Sequence, residues 1–285
     1  SEMSKVSGIK VQISDIIRYK SIGILSAIYS KIQAFQNHVS LVMPFEETYN
    51  DELANLICIH SALGGSDAYH CLTKLLYNQY NCIGIDNQNI YGESKISNLN
   101  QLADFYLNEY TQKYSIKEPI ILLGWSLGGS IALEMASVLE RRGYTEIKVI
   151  LLDTYVPIPR KSRRRNKFDR KSTHEFISSM FSEEYDDYVE RLVDASEAEH
   201  VLAQTPISKR LFETEIILFQ ALYMEAQDSE TSTNQELIPI ENLGHNNLEH
   251  IIDTNKITIV PIHTHHRHIL PFQAQFIGRS EEHTS

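Results

Sequence analysis

With 285 residues, 42% hydrophobic and 22% charged, the chain has room for one large α/β domain and a small appendage, and it is too apolar to be disordered. Its net charge of −11 leaves no extended basic surface for phosphates, which excludes nucleic acid as an expected partner. Cys58, Cys71 and Cys82 have neither a disulfide framework nor zinc-type spacing, no run nears the roughly 18 apolar residues of a membrane span, and no signal peptide opens the chain, so the expected location is cytoplasmic, without membrane contact.

Residues 1–36 carry two short amphipathic patterns, around Asp15-Ile16-Ile17 and from Ser21 to Ile32, that predict two short helices. Residues 37–53 are irregular, contain Pro44 and read as a linker or an edge strand. A regular alternation then begins. Leu56 to Ile59 predicts a buried strand, Ala68 to Gln79 a helix, Cys82 to Ile85 a strand, Leu99 to Tyr114 a helix and Ile120 to Leu123 a third strand. Ser130 to Arg141 predicts a helix and Lys148 to Leu152 a fourth strand. Strands and helices alternating at this length imply a doubly wound, mostly parallel sheet that binds ligands at the carboxyl ends of its strands.

Residues 160–235 break that rhythm. They are polar and helical in pattern over Thr173 to Phe181, Glu183 to Ala195 and Ser208 to Gln227, which predicts an inserted helical lid. The stripe Leu211, Ile216, Leu218, Phe219, Leu222 and Tyr223 would pack the lid or line an apolar channel beneath it. The run Arg160-Lys161-Ser162-Arg163-Arg164-Arg165, continued by Lys167, Arg170 and Lys171, is a solvated loop or a docking surface for an acidic partner. Strands resume at Leu237 to Ile240 and Lys256 to Val260.

The chemistry centres on Gly124-Trp125-Ser126-Leu127-Gly128-Gly129, a G-x-S-x-G match between an apolar strand and a helix. In that setting the turn forces Ser126 outward, where its hydroxyl is exposed beside the backbone N–H groups of a helix start. A serine needs a base to take its proton and a third group to orient the base. Asp153 closes the strand after the serine's helix, on the same sheet edge, and is the candidate acid. The base should follow the last strand, where His263, His265, His266 and His268 all stand. No cysteine or carboxylate motif accompanies them, so no metal site is expected. The oxyanion hole needs two backbone N–H groups, expected from Leu127 and from Ala62 in the loop after the first buried strand.

These residues resemble the thioesterase domain that terminates nonribosomal peptide synthetases and related polyketide synthases. Gly-Trp-Ser-Leu-Gly-Gly is similar to that family's elbow. His60-Ser61-Ala62-Leu63-Gly64-Gly65 with Tyr69-His70-Cys71-Leu72 resembles its oxyanion loop and first helix, and Leu152-Asp153-Thr154-Tyr155 its acid strand. His266 fits the second half of the family's histidine motif, with Thr264 where a glycine is usual. The resemblance covers about residues 54–272 and implies an α/β-hydrolase fold with an inserted lid, a Ser126-Asp153-His266 triad, and oxyanion donors at Ala62 and Leu127. Gly8 to Ile17 with Ser21-Ile22 resembles the last half of a peptidyl carrier domain. The implied organisation is a carrier remnant at 1–36, a linker at 37–53, a thioesterase domain at 54–278 with its lid at about 160–235, and a non-native tail at 279–285. The family's final helix would be shortened or missing.

The resemblance implies a thioesterase that frees an acyl or peptidyl chain from a carrier through an acyl-serine intermediate, by hydrolysis or cyclisation. No cofactor would be bound; a carrier domain's phosphopantetheine arm would deliver the substrate. The alternatives are a stand-alone or editing thioesterase or esterase of the same fold, or a non-catalytic acyl-binding or docking module.

Overall fold

The computed structural model describes residues 40–158, 167–179, 181, 186–225, 237–240 and 244–270. The two helices expected within 1–36, the arginine run at 160–165, the place of the family's final helix after residue 270 and the tail at 279–285 lie outside the described residues.

Short apolar runs form the strands that their composition predicts. These are β1 (Val42–Pro44), β2 (Ala54–Ile59), β3 (Tyr80–Ile85), β4 (Ile120–Trp125) and β5 (Ile147–Leu152). They pair in the order β1-β3-β2-β4-β5, all parallel except β1, which closes one edge antiparallel to β3. Part of the 37–53 segment is therefore an edge strand. The connections carry α1 (His70–Leu76), α2 (Gln88–Tyr91), α3 (Leu99–Thr111) and α4 (Leu127–Arg141). Asn98 starts α3 because its side chain accepts the Gln101 N–H, satisfying one of the free donors of a first turn.

Along β2 the side chains alternate between two apolar clusters. Ile57 and Ile59 join Leu102 and Tyr106 of α3 and Ile131 and Met135 of α4, whereas Leu56 and Cys58 join Tyr69, Leu123 and Leu152. Both faces of the strand are thus covered, as a parallel sheet requires.

The lid departs from its expected extent. Two inserted helices are described, α5 (Arg170–Ser178) and α6 (Asp186–Leu202). Arg170 binds Glu190, Asp194 and Glu197 of α6 at 2.9, 2.8 and 3.2 Å, so this part of the basic run pins α5 to α6. The third predicted lid helix, Ser208 to Gln227, is not a helix. Glu215–Glu225 is β6, a strand of the sheet, so the described helical insertion ends at Leu202. The residues Ile216, Phe219, Leu222 and Tyr223 mimic helical spacing, yet the burial of Ile216, Leu218 and Gln220 against half-buried Ile217 and Phe219 has the period of a strand. Pairing on both sides overrides the helical reading. β6 runs parallel to β5 on one side and to β8 (Ile257–His265) on the other, and its far end pairs antiparallel with β7 (Leu237–Pro239). The stripe expected in the lid is accordingly sheet core at Ile216 and Leu218.

Register aligns the carboxyl edge. Trp125 pairs with Leu152, Leu152 with Phe219, and Phe219 with Val260. The residues that follow Trp125 and Leu152 therefore emerge side by side. β8 continues past that line to His265, opposite Tyr223, and so reaches over the edge. Among the described residues, no helix is long and apolar enough to cross a membrane.

Candidate active site

Ser126 lies between β4 and α4 with φ 55° and ψ −120°, a backbone conformation that costs an L-residue about 1–2 kcal/mol and is retained where the surroundings fix it. Several bonds fix it here. Its N–H donates to Leu152 at 3.3 Å, and its carbonyl accepts the Gly129 N–H at 3.1 Å and the Thr154 hydroxyl at 3.2 Å. The turn also requires close backbone approach. A Cβ on Gly128 would lie 2.5 Å from the His60 carbonyl oxygen and 2.6 Å from that of Ile59, both immobile backbone atoms. Gly128→Ala should therefore cost about 3 kcal/mol, lowering the thermal midpoint by roughly 5–10 °C. A midpoint within one degree of wild type would contradict this packing.

Asp153 follows β5, is buried, and has φ 45°. Its N–H donates to the Phe219 carbonyl at 2.8 Å, and its Oδ1 accepts the Ala221 N–H at 3.2 Å, so β6 sets both its backbone and its carboxylate. Oδ2 is left facing His266 Nδ1 at 2.9 Å. His266 opens a short 3-10 turn directly after β8, and its side chain is 40% exposed, against 4% for Asp153. Of the four candidate histidines, His266 is the one that meets Asp153. His263 packs its ring near Tyr223 and is exposed, and His265 is buried with its ring 4.0 Å from that of exposed His268.

Trp125 ties the two halves together. Its ring lies 5.6 Å from the His266 ring, and its indole N–H donates to the His266 carbonyl at 3.2 Å. Its own backbone N–H donates to the hydroxyl of buried Tyr69, which in turn donates to the Ile59 carbonyl. The aromatic residue before Ser126 thus sets the position of His266, a role its place in the motif does not disclose. Asp153 and His266 are brought together, and Ser126 stands next to the residue that bonds His266.

Leu127 begins α4, so its N–H has no partner within the helix. Ala62 lies exposed in the loop after β2, in a turn closed by the Gly64 N–H on the Ser61 carbonyl at 3.2 Å. The base of that loop is a fixed polar chain. His60 Nδ1 meets the Ser61 carbonyl at 2.8 Å and Nε2 meets the Tyr106 hydroxyl at 2.7 Å, which itself accepts the Gln88 N–H. Burial pushes His60 down to about 4, so its imidazole is neutral and donates from Nδ1 while accepting at Nε2. Glu199 of α6 also reaches the loop, accepting the Leu63 N–H at 2.8 Å. Sequence reasoning missed this residue, because nothing marks an acid within a polar helix as buried.

Among the described residues no group of His, Cys, Asp and Glu could hold a metal ion. A half-buried serine at a strained turn, a buried carboxylate fixed by backbone, and a histidine between carboxylate and solvent form the parts list of nucleophilic acyl chemistry.

The family model of the thioesterase domain matches residues 54–260, well over half of the chain. The chain belongs to the thioesterase domain family. Malpibaldin synthetase of Mortierella alpina is 30% identical over 115 residues, 40% of this chain and 2% of that protein. The chain thus corresponds to a small part of such relatives. A four-domain nonribosomal peptide synthetase solved with AMP and glycine bound superposes with a TM-score of 0.62 at 17% identity, covering 97% of this chain and 22% of the other. The type II thioesterase BorB from the borrelidin biosynthetic cluster gives 0.57 at 15% identity, covering 84% of this chain and 95% of the other. At these identities the superpositions establish the fold: this thioesterase domain has an α/β-hydrolase fold, with a mostly parallel sheet and inserted helices.

Proposed function

We propose that this thioesterase domain releases an acyl or peptidyl chain from a carrier-bound pantetheine thioester, with Ser126, His266 and Asp153 as its triad. The observation that carries the reading is the 2.9 Å bond from His266 Nδ1 to Asp153 Oδ2, beside a serine held at φ 55°. Asp153 holds the imidazole with its proton on Nδ1, leaving Nε2 as the acceptor. Nε2 takes the Ser126 proton as Oγ bonds to the thioester carbonyl carbon. The Leu127 and Ala62 N–H groups receive the developing oxyanion. The carbon–sulfur bond then breaks, the pantetheine thiol leaves with the proton from Nε2, and an acyl-Ser126 ester remains. Water, or a nucleophile within the acyl chain, attacks that ester with His266 again as base, giving a free acid or a ring. A carrier domain as partner is supported by the carrier-like pattern at residues 8–22 and by relatives that are synthetases.

Intact-protein mass spectrometry after mixing the chain with a short acyl-pantetheine thioester tests this reading. The expected product is one acyl adduct on the wild type, with one thiol released, and none on Ser126→Ala. A wild type that gains no adduct and releases no thiol would refute it.

A further inference from the structure

The loop that carries Ala62 is held from outside by a carboxylate of the lid. In the turn Ser61–Gly64, Leu63 takes the third position with φ 49°, where glycine is the favoured residue. The left-handed backbone of a branched leucine needs an external hold. Its N–H, part of the peptide that follows Ala62, donates to Oε2 of Glu199 at 2.8 Å. Glu199 stands on α6, 136 residues away, and is 3% exposed. Its other oxygen, Oε1, accepts from Asn87 Nδ2 at 2.5 Å. The Asn87 amide cannot turn over, because its Oδ1 accepts the Asn89 N–H at 2.9 Å and caps α2. Both oxygens of Glu199 therefore face donors of fixed orientation.

We propose that Glu199 is a positioning residue for acyl transfer: from the lid it fixes the Ala62–Leu63 peptide of the oxyanion loop, and its ionised form is the one that does so. The proposal rests on the reading of Ala62 as an oxyanion donor. A carboxylate can accept at both oxygens, whereas a protonated acid or a glutamine amide turns one acceptor into a donor facing a donor. The arrangement then loses a hydrogen bond and leaves a buried polar group unpaired.

The surroundings act on the Glu199 carboxyl in opposite directions and bring its titration into the neutral range. Burial pushes the Glu199 carboxyl up to about 7, against the Asn87 and Leu63 hydrogen bonds and the Lys95 charge, which all favour its ionised form. Lys95, from the loop before α3, is itself pulled down by burial and by Arg191, while Asp194 and Glu199 raise it. Tyr106 of α3 faces the same region with Asp86, and burial holds its hydroxyl protonated. His60, on the other side of Tyr106, stays neutral. A folded-state value above that of the unfolded chain means that this group favours folding most in its protonated state. Its stabilising contribution is present in acid and is lost as pH rises through about 7. Proton uptake between pH 8 and 6 therefore does not unfold the protein, and on the proposal it loosens the loop by removing one of the two acceptors that Leu63 and Asn87 face.

The test is the rate at which a fluorophosphonate probe labels Ser126, measured from pH 6 to 8 in wild type, Glu199→Gln and the double variant Asn87→Asp with Glu199→Gln. Taking the ratio of wild type to Glu199→Gln cancels the groups that both proteins share. The expected ratio rises with pH to roughly 10- to 100-fold at pH 8, short of the loss from deleting an oxyanion donor outright. In the double variant the glutamine amide donates to the new carboxylate at position 87 while its oxygen accepts from Leu63, so most of the rate returns. A ratio that stays flat from pH 6 to 8, or a double variant as slow as Glu199→Gln, overturns the proposal. A wild type that does not label at all overturns the Ser126 reading together with it, so the two failures are distinguishable.

Discussion

Turnover of an acyl-pantetheine thioester should fall by about a million-fold in Ser126→Ala, leaving the modest acceleration that oxyanion donors give without a nucleophile. The size of the effect follows from what the substitution spares. Asp153 and His266 keep their 2.9 Å bond, and Trp125 keeps its hold on the His266 carbonyl, because neither contact involves the serine hydroxyl. Alanine at φ 55° carries much the same backbone penalty as serine, so stability should stay within about 0.5 kcal/mol. Stopped-flow measurement of thiol release beside a thermal melt separates the two quantities. A rate within tenfold of wild type, at an unchanged melting temperature, would remove Ser126 from the mechanism.

Asp153→Asn should be nearly as damaging, lowering kcat by about 10⁴-fold, or roughly 5 kcal/mol of transition-state stabilisation. Oδ1 of Asp153 already accepts the Ala221 N–H, which fixes how an asparagine amide can sit. With its oxygen kept toward Ala221, its NH₂ faces His266 Nδ1. The imidazole must then move its proton to Nε2, the atom that has to accept from Ser126. Turned the other way, the NH₂ meets the Ala221 N–H, and a buried donor is left unpaired. Either arrangement disables the base while the hydrophobic core is untouched. Single-turnover acylation of Asp153→Asn checks this, and a loss below tenfold would show that the carboxylate does not set the tautomer. The same measurement on His266→Ala and on His263→Ala separates the histidine bound to Asp153 from one packed near Tyr223.

How much of this could be read in the sequence depended on whether a signal was local. The elbow was readable because a strand, a glycine-rich turn and a helix lie within about twenty residues, and each glycine answers a contact made nearby, such as Gly128 against the His60 and Ile59 carbonyls. Asp153 stands out in the sequence by its place at a strand end, and its carboxylate meets His266 in the structure. The histidine region offered four equivalent residues, and sequence spacing alone does not separate them. What distinguishes His266 is how far β8 runs past the sheet edge, a matter of pairing with β6. That strand lies where the sequence pattern predicts a helix. Glu215–Glu225 has apolar residues at helical and at strand intervals alike, and it becomes a strand because β5 and β8 supply hydrogen bonds on both sides. Glu199 was invisible for the same reason, since its partners Leu63 and Asn87 lie 136 and 112 residues away.

The span between Asp153 and His266 has a consequence for synthesis. They lie 113 residues apart in the chain, so at roughly 5–20 residues per second a ribosome needs about 6–23 s to pass from one to the other. During that interval Ser126 has been made, and His266, the base proposed for it, has not. Contacts of such long sequence separation also slow folding, because the loop between them must close first. On the proposed mechanism, a nascent or partly folded copy therefore holds Ser126 without its base. On that mechanism the Asp153–His266 pair is completed only when β8 docks beside β6.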